Sequence, residues 1–273
     1  MTIAYLGPRG TFTQQAADLY AKGAGAVFDP RPTIDDVIAD VDSGKTELGV
    51  VPIENSTEGT VNVSLDKLIF GAEVYIEAQL TLPVSQNMFV RPENAGKPVE
   101  KIISHPQALA QCREFISANY GAAELIPAAS TAKAAEEVSR SGGSIAAVGN
   151  SLAGELYGLL TLHENIQDDA GNATIFAVLT KRDTSAPKDG FNTSVAFGVK
   201  NRPGELYRVL DIFAIWDINM TKILSRPMPG KTGEYVFFTD LSGERGDLES
   251  ALEMVKRKAG FLKTLGSYPV VNL

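Results

Sequence analysis

The sequence predicts an α/β protein made of two strand–turn–helix lobes followed by a smaller unit of β-α-β-β-α-β order. Three observations predict it. Between residues 3 and 160, short apolar strands repeatedly run into polar turns and then into amphipathic helices. The polar, Pro- and Gly-containing stretch 181–190 marks a change of charge: residues 1–189 hold 14 Lys+Arg against 24 Asp+Glu (net −10), and residues 190–273 hold 11 against 9 (net +2). Beyond it, strand and helix periodicities alternate in the order of a ferredoxin-like unit.

A chain of 273 residues is long enough for two or three domains with cores of their own. Its formal net charge of −8 argues against nucleic acid as a partner, because neutralising phosphates needs clustered Lys and Arg. No apolar run approaches the roughly 18 residues of a membrane span. The single cysteine, Cys112, excludes an intramolecular disulfide and a multi-cysteine metal cluster, and no charged-then-apolar leader opens the chain, so a cytoplasmic protein is expected. Small molecules are the expected partners.

Taken in order, residues 3–6 (Ile-Ala-Tyr-Leu) form a strand, Gly7-Pro8-Arg9-Gly10 a turn, and Thr11 an N-cap for a helix reaching about residue 22. The turn lacks Gly-Lys-Ser/Thr and is no nucleotide P-loop, although its helix N-terminus still favours an anion. Ile34, Val37, Ile38 and Val41 fall at helical spacing, and the strand 48–53 then opens into Glu54-Asn55-Ser56-Thr57-Glu58-Gly59. A polar run after a buried strand is where open α/β sheets hold ligands; it equally suits a cap for the helix near residues 61–69.

Residues 74–90 alternate apolar and polar and predict strands crossing into a second lobe, where the grammar repeats. Ile102-Ile103 enters Ser104-His105-Pro106-Gln107, and the helix that follows carries Ala108, Leu109, Cys112, Phe115 and Ile116 on one stripe, which makes Cys112 core filler. His105 stands at a strand's end beside a helix N-terminus and reads either as a structural residue or as a site residue. Further helix starts fall at Ser130-Thr131 and at Asn150-Ser151. Five helix N-termini with Ser, Thr or Asn at their mouths predict a cleft for a small anion, held by N–H groups and hydroxyls because the surrounding region is itself negative. The polar turn Asp168-Asp169-Ala170-Gly171-Asn172 then feeds the strand 174–180, setting Thr174 at a strand's mouth. The last 80 or so residues predict a strand at 192–200, a helix from about 205, strands at 218–224 and 235–241, a helix at 247–259 and a strand near 266–271.

In this order the motifs Gly7-Pro8-Arg9-Gly10-Thr11-Phe12-Thr13, Pro52-Ile53-Glu54-Asn55-Ser56 and Ser104-His105-Pro106-Gln107-Ala108 resemble those of the prephenate dehydratase family, and the resemblance covers essentially the whole chain. It implies a catalytic region over residues 1–182 like a type II periplasmic binding protein, with lobe one at about 1–77 plus 174–182 and lobe two at about 78–173. A linker at 183–190 and an ACT regulatory domain at 191–273 follow. The implied reaction is a carbon–oxygen lyase step that takes prephenate to phenylpyruvate, water and carbon dioxide without cofactor or metal.

The resemblance further implies Thr174, Asn55, Ser56 and Gln107 as catalytic residues, and Arg9, Thr11, Ser104, His105, Asn172 and Phe176 as substrate-binding ones, Phe176 as an apolar wall. His105 or Glu54 is the implied proton source behind Thr174. Feedback by L-phenylalanine is implied at Pro203-Gly204-Glu205-Leu206 and Ser225-Arg226-Pro227, with a homodimer or homotetramer formed through the ACT domains. The chain departs from the family pattern at Ile175, where Thr-Arg-Phe is usual, and at Glu205 and Leu224 in the ACT motifs. Strand alternation sets Thr174 and Phe176 on one face and residue 175 on the other. An arogenate dehydratase, and a non-catalytic amino-acid-sensing relative, are the alternative readings.

Overall fold

The computed structural model describes residues 1–273 and has the two-lobed α/β architecture with a third, separate sheet. In chain order its elements are β1 (Thr2–Leu6), α1 (Phe12–Tyr20), β2 (Val27–Arg31), α2 (Ile34–Asp42), β3 (Leu48–Asn55), β4 (Gly59–Thr60), α3 (Asn62–Asp66) and β5 (Tyr75–Pro83). The second lobe holds β6 (Asn87–Val90), β7 (Lys101–Ser104), α4 (Pro106–Gln111), α5 (Arg113–Tyr120), β8 (Glu124–Pro127), α6 (Thr131–Arg140), β9 (Ile145–Gly149), α7 (Ser151–Leu156) and β10 (Leu160–His163). Strand β11 (Ala173–Thr180) returns to the first lobe. The C-terminal unit is β12 (Asn192–Val199), α8 (Glu205–Ile215), β13 (Asn219–Pro227), β14 (Tyr235–Ser242), α9 (Arg245–Lys258) and β15 (Phe261–Tyr268), with β16 (Val270–Asn272) as a tail.

Lobe one is a sheet of order β16-β5-β11-β3-β1-β2 with β4 on β3, and lobe two is ordered β10-β6-β9-β7-β8. The chain crosses between them after β5 and before β11. The central strands of lobe one are buried on both faces, so their sequences are nearly continuous apolar runs: Val50, Val51, Val178 and Leu179 are fully buried. One face packs Ala16 and Ala17 of α1 against Tyr5 and Phe176. The other packs Val37, Ile38 and Val41 of α2, with Ile34 at its edge, and the i,i+3,i+4,i+7 spacing of these four is what makes that helix amphipathic.

The C-terminal sheet has order β13-β14-β12-β15, the strand order of the predicted β-α-β-β-α-β unit. Alternation along β12 divides its faces. Val195 and Phe197 pack against α8 and α9, whereas Ala196, with Val236, Phe238, Leu265 and Tyr268, joins the lobe-one core of Val37, Leu65 and Leu68. Each large side chain so buried contributes about 1.5–3 kcal/mol, which makes this second face a substantial docking surface. At the crossing of β15 and β5, Gly266 (φ 147°) lies so close that an added Cβ would fall 2.4 Å from the Ile76 carbonyl oxygen.

The tail departs from expectation. A single strand near 266–271 is predicted, but Pro269, which has no N–H to donate, ends β15. The chain then switches sheets, and Val270–Asn272 pairs in parallel with Gln79, Leu80 and Thr81 of β5. The stretch 183–190 is likewise fastened: Thr184 Oγ1 donates to the Ile76 carbonyl (2.8 Å), and the Thr184 carbonyl accepts from Ser267 N–H (2.7 Å).

Candidate active site

Three helix N-termini meet at the junction of the lobes. Thr11 caps α1, accepting from Gln14 N–H (3.3 Å) and donating to the Leu6 carbonyl (3.0 Å). Ser130 caps α6 by accepting from Lys133 N–H (3.0 Å), and His105 caps α4, its Nδ1 accepting from Gln107 N–H (3.3 Å). First-turn N–H groups beyond those caps have no intrahelical acceptor and face whatever lies before the helix. The loop ahead of α1 touches the second lobe at Gly10 (φ 84°), where an added Cβ would lie 3.4–3.5 Å from Ala153 and Ala132. Gln14 holds that loop, accepting from Gly10 N–H (2.7 Å) and from the Tyr5 hydroxyl (3.1 Å).

The cleft these elements enclose has a volume of about 350 Å³. Thr11, Thr13, Asn55, Gln86, His105, Gln107, Gln111, Ser130, Thr131 and Thr174 supply its polar lining, and no Lys, Arg, Asp or Glu lines it. Its capacity for anions therefore rests on neutral donors and helix dipoles. A second cavity of about 630 Å³ adjoins it through His105, Gln107 and Gln111, and there Glu58, Asp168 and Asp169 make the mouth acidic.

On the floor, β3 and β11 pair so that Thr174 lies opposite Asn55. The Asn55 Oδ1 accepts from Thr57 N–H (3.0 Å) and Glu58 N–H (3.2 Å), which fixes the amide and leaves Nδ2 as a donor. That Nδ2 donates to Thr174 Oγ1 (2.9 Å) and to Asn172 Oδ1 (3.3 Å). Thr174 Oγ1 is thus an acceptor within the protein, and its own hydrogen is free to be given to a ligand.

The sequence-predicted residues fall into distinct places. Thr11, Asn55, His105, Gln107 and Thr174 line the cleft together, and Asn172 lines the adjoining cavity. Ser56 does not line either; it supports Asn172 through Oγ (2.9 Å) and accepts from Ala173 N–H. Ser104 is buried, donating to the Val148 carbonyl (2.6 Å) across the lobe-two sheet, because its strand position directs it inward. Arg9 is exposed outside the cleft. Phe176 is no wall of the cleft: two residues deeper along β11 it is 1% exposed and packs with Ile3 and Ala16 in the core. Glu54 lies on the opposite face of β3, paired with Lys222 of the C-terminal sheet, which removes it as a proton source. Asp168 caps α5, accepting from Glu114 N–H (3.1 Å). Cys112 is fully buried, and burial pushes its thiol up to about 12, in keeping with core filler.

Two cleft residues were not anticipated. Gln86 (2% exposed) donates from Nε2 to Gln111 Oε1 (3.1 Å), and both amides line the cleft. The one sequence signal was Gln86-Asn87, two adjacent amides at the lobe crossover inside an otherwise apolar strand pattern. In the C-terminal unit, Gly204 (φ 81°) starts α8, with Pro203 exposed before it, Glu205 pairing with Arg208 (3.0 Å), and Leu206 against the helix-side core. Ser225 and Pro227 face outward on β13, while Arg226 reaches lobe one and binds both Asp66 oxygens (2.6 Å each) and Asn62 Oδ1 (2.7 Å). Within one chain the two segments line none of the larger cavities in common.

Residues 3–184 match the family model described as prephenate dehydratase. Among curated relatives, a bifunctional chorismate mutase/prephenate dehydratase of Aquifex aeolicus is 43% identical over 98% of this chain and 73% of its own length. A prephenate dehydratase of Lactococcus lactis is 41% identical over 100% of this chain and 99% of its own. Among solved structures, the prephenate dehydratase of Arthrobacter aurescens in complex with L-Phe superposes with a TM-score of 0.87 at 30% identity, over 98% of this chain and 90% of that one. A protein described as GqqA, a novel type of quorum quenching acylase, superposes with a TM-score of 0.88 at 29% identity, over 99% of this chain and 98% of that one.

Proposed function

The chain belongs to the prephenate dehydratase family, and from that premise we propose that Thr174 protonates the departing ring hydroxyl in the conversion of prephenate to phenylpyruvate, a carbon–oxygen lyase reaction. The observation that carries this role is the Asn55–Thr174 hydrogen bond, which occupies the Thr174 oxygen and frees its hydrogen on the cleft side. In the reaction the bond between ring and carboxyl carbon breaks, its electron pair enters the ring, and the ring C–O bond breaks as the hydroxyl takes a proton and leaves as water. His105 Nδ1 accepts from Gln107 N–H, so in the neutral ring the proton sits on Nε2; we assign this N–H, on the other wall, to orient the solvent molecule that reprotonates Thr174, the one proton the reaction consumes coming from solvent.

The absence of fixed cations from the lining suits the chemistry. Prephenate is a dianion, but its ring carboxylate must become neutral carbon dioxide. A Lys or Arg bound to that group would stabilise the ground state more than the transition state and slow the reaction. Neutral N–H donors at the starts of α1, α4 and α6, with the Gln86, Gln107 and Gln111 amides, orient both carboxylates at smaller cost to the step. Neither histidine bonds a Ser, Thr or Cys: His105 pairs with Gln107 N–H and His163 with the Tyr120 hydroxyl (2.6 Å). A histidine-activated nucleophile of the kind many acyl-transfer enzymes use is therefore missing, which favours dehydration over that chemistry in this cleft.

The test is phenylpyruvate formation by purified variants. Thr174→Ala should lose a factor of roughly 10² to 10⁴ in kcat, as expected for a positioned proton donor, while Thr174→Ser keeps most of the rate. An alanine variant within a few fold of the parent would overturn the assignment. We further infer feedback by L-phenylalanine at the C-terminal unit, which the L-Phe complex of the Arthrobacter relative supports, and pairing of copies there. The outer edge of β13 is unpaired, and Ile223 on β13 and Tyr207 and Ile215 on α8 are exposed.

A further inference from the structure

The paired ends of β3 and β11 have two working faces. Asn55 and Thr174, opposite each other, point into the cleft. Their neighbours Glu54 and Ile175, also opposite each other, point the other way, into a cavity of about 540 Å³ between the lobe-one sheet and the C-terminal sheet. Lys222 of β13 crosses that cavity, and its ammonium pairs with the Glu54 carboxylate. The stem is well held. Lys222 is 17% exposed, its Nζ lies 5.9 Å over the Phe238 ring, and its carbonyl accepts from Thr239 Oγ1 (2.7 Å). Ile175 offers no polar group there, so the only charged group that reaches Glu54 comes from the other sheet.

We propose that Lys222, although it belongs to the C-terminal unit and touches no substrate, is a positioning residue for the dehydration: its hold on Glu54 fixes the end of β3, and with it the Asn55 amide that aims Thr174. This rests on the reading of Thr174 given above. Residues 54 and 55 share one peptide unit, so a twist that releases the Glu54 side chain rotates Asn55 out of line with Thr174. The ladders to β4 and β11 hold the backbone at this end, and Lys222 is the one cation that holds the Glu54 side chain against it. A movement of the C-terminal sheet would then reach the cleft through a single ion pair, which also gives an effector bound to that unit a direct path to the rate.

A plain docking role makes a different prediction, and Lys263 provides the contrast. It also joins the two units, donating to the Leu68 carbonyl (3.0 Å) and the Ala72 carbonyl (2.6 Å), but at a segment that carries no cleft residue. The experiment measures kcat, KM and melting temperature for Lys222→Met, Lys222→Arg, Glu54→Gln, Lys263→Met and Thr174→Ala with prephenate. Lys222→Met and Glu54→Gln should each lose about 10- to 100-fold in kcat with KM within about threefold, the signature of misplaced rather than missing contacts. Lys222→Arg should recover to within about threefold, and Lys263→Met should stay within about threefold. The melting temperature of Lys222→Met should fall by no more than about 3 °C, since a partly exposed pair contributes little stability. If Lys222→Met does not fold, Glu54→Gln carries the same test from the catalytic side. A kcat for Lys222→Met near the parent's, or equal losses in Lys222→Met and Lys263→Met, overturns the inference. If Thr174→Ala is impaired in that event, the reading of the cleft survives; if Thr174→Ala is also unimpaired, that reading falls too.

Discussion

The cleft between the lobes and the cavity between the lobe-one and C-terminal sheets lie on opposite faces of the same two strands, yet they are built from opposite materials. The first has polar but uncharged walls and three helix starts. The second is lined by Glu54, Lys222 and Asp240. The difference follows from what each must hold. A cavity whose partner is the protein's own other half can use permanent charges, because the pair is already assembled and neither charge waits alone for a visitor. On the assignment proposed above, the cleft takes a dianion and releases part of it as a neutral gas, a task better served by weak donors than by ions.

The comparison breaks most visibly if charge is moved to the wrong face. Gln107→Glu sets a carboxylate in the cleft lining; for a substrate carboxylate bound about 5 Å away, at an effective dielectric constant of about 20, the repulsion is about 3 kcal/mol, a rise of roughly 100-fold in KM. Thr221→Glu, which adds the same charge to the intersheet cavity, should leave KM within about twofold, because it acts from the far face of the sheet, beside Lys222, where distance, the countercharge and salt weaken it. Steady-state assays of the two variants make the comparison, and equal changes in KM would show that the two faces are not electrostatically separate. A smaller effect is expected from forcing the sheets apart. Gly266→Ala inserts a Cβ against the Ile76 carbonyl at a positive φ, which should cost about 2 kcal/mol and lower the melting temperature by about 4–8 °C. An unchanged melting temperature would mean that β15 and β5 are not held as closely as they lie here.

The two faces also differed in how far the sequence disclosed them. The cleft was largely legible, because its residues follow strands and open helices, where turn and cap chemistry leaves a local signature: Thr11, Asn55, His105 and Thr174 each stand at such a point. Gln86 and Gln111 left weaker traces, since they reach the cleft from a crossover and from a helix end. The opposite face was hidden. The Lys222–Glu54 pair joins residues 168 positions apart, and nothing in the alternation of β13 says what its inward residues meet. The tail was misread for a related reason: apolar residues at 270–271 suit any sheet, and only the tertiary arrangement decides which one they join. Position 175 is the instructive case. Alternation correctly set it away from the cleft, yet its surroundings, a cavity already supplied with a cation from another domain, came only with the fold.

Asp240 sharpens the comparison from the charged side. It is 6% exposed, its Oδ1 accepts from Ser194 Oγ (2.5 Å), and Tyr268, Lys222 and Glu54 are its other polar neighbours. Burial raises its carboxyl above the usual carboxylate range, with the Ser194 hydrogen bond and Lys222 opposing. The sign of the consequence follows from linkage. Between the unfolded value of about 3.9 and the higher folded value, the native state holds more protons than the unfolded one, so this group makes stability fall as pH rises through that window. Asp240→Asn cannot ionise and keeps the site's size and its bond to Ser194. Urea unfolding of both proteins at a series of pH values from about 4 to 7 should show the variant gaining on the parent as pH rises, with the gain levelling off above the folded value. A difference between the two that stays constant with pH would mean that Asp240 is as readily ionised in the fold as outside it, and that this face holds its charges without the desolvation cost its burial implies.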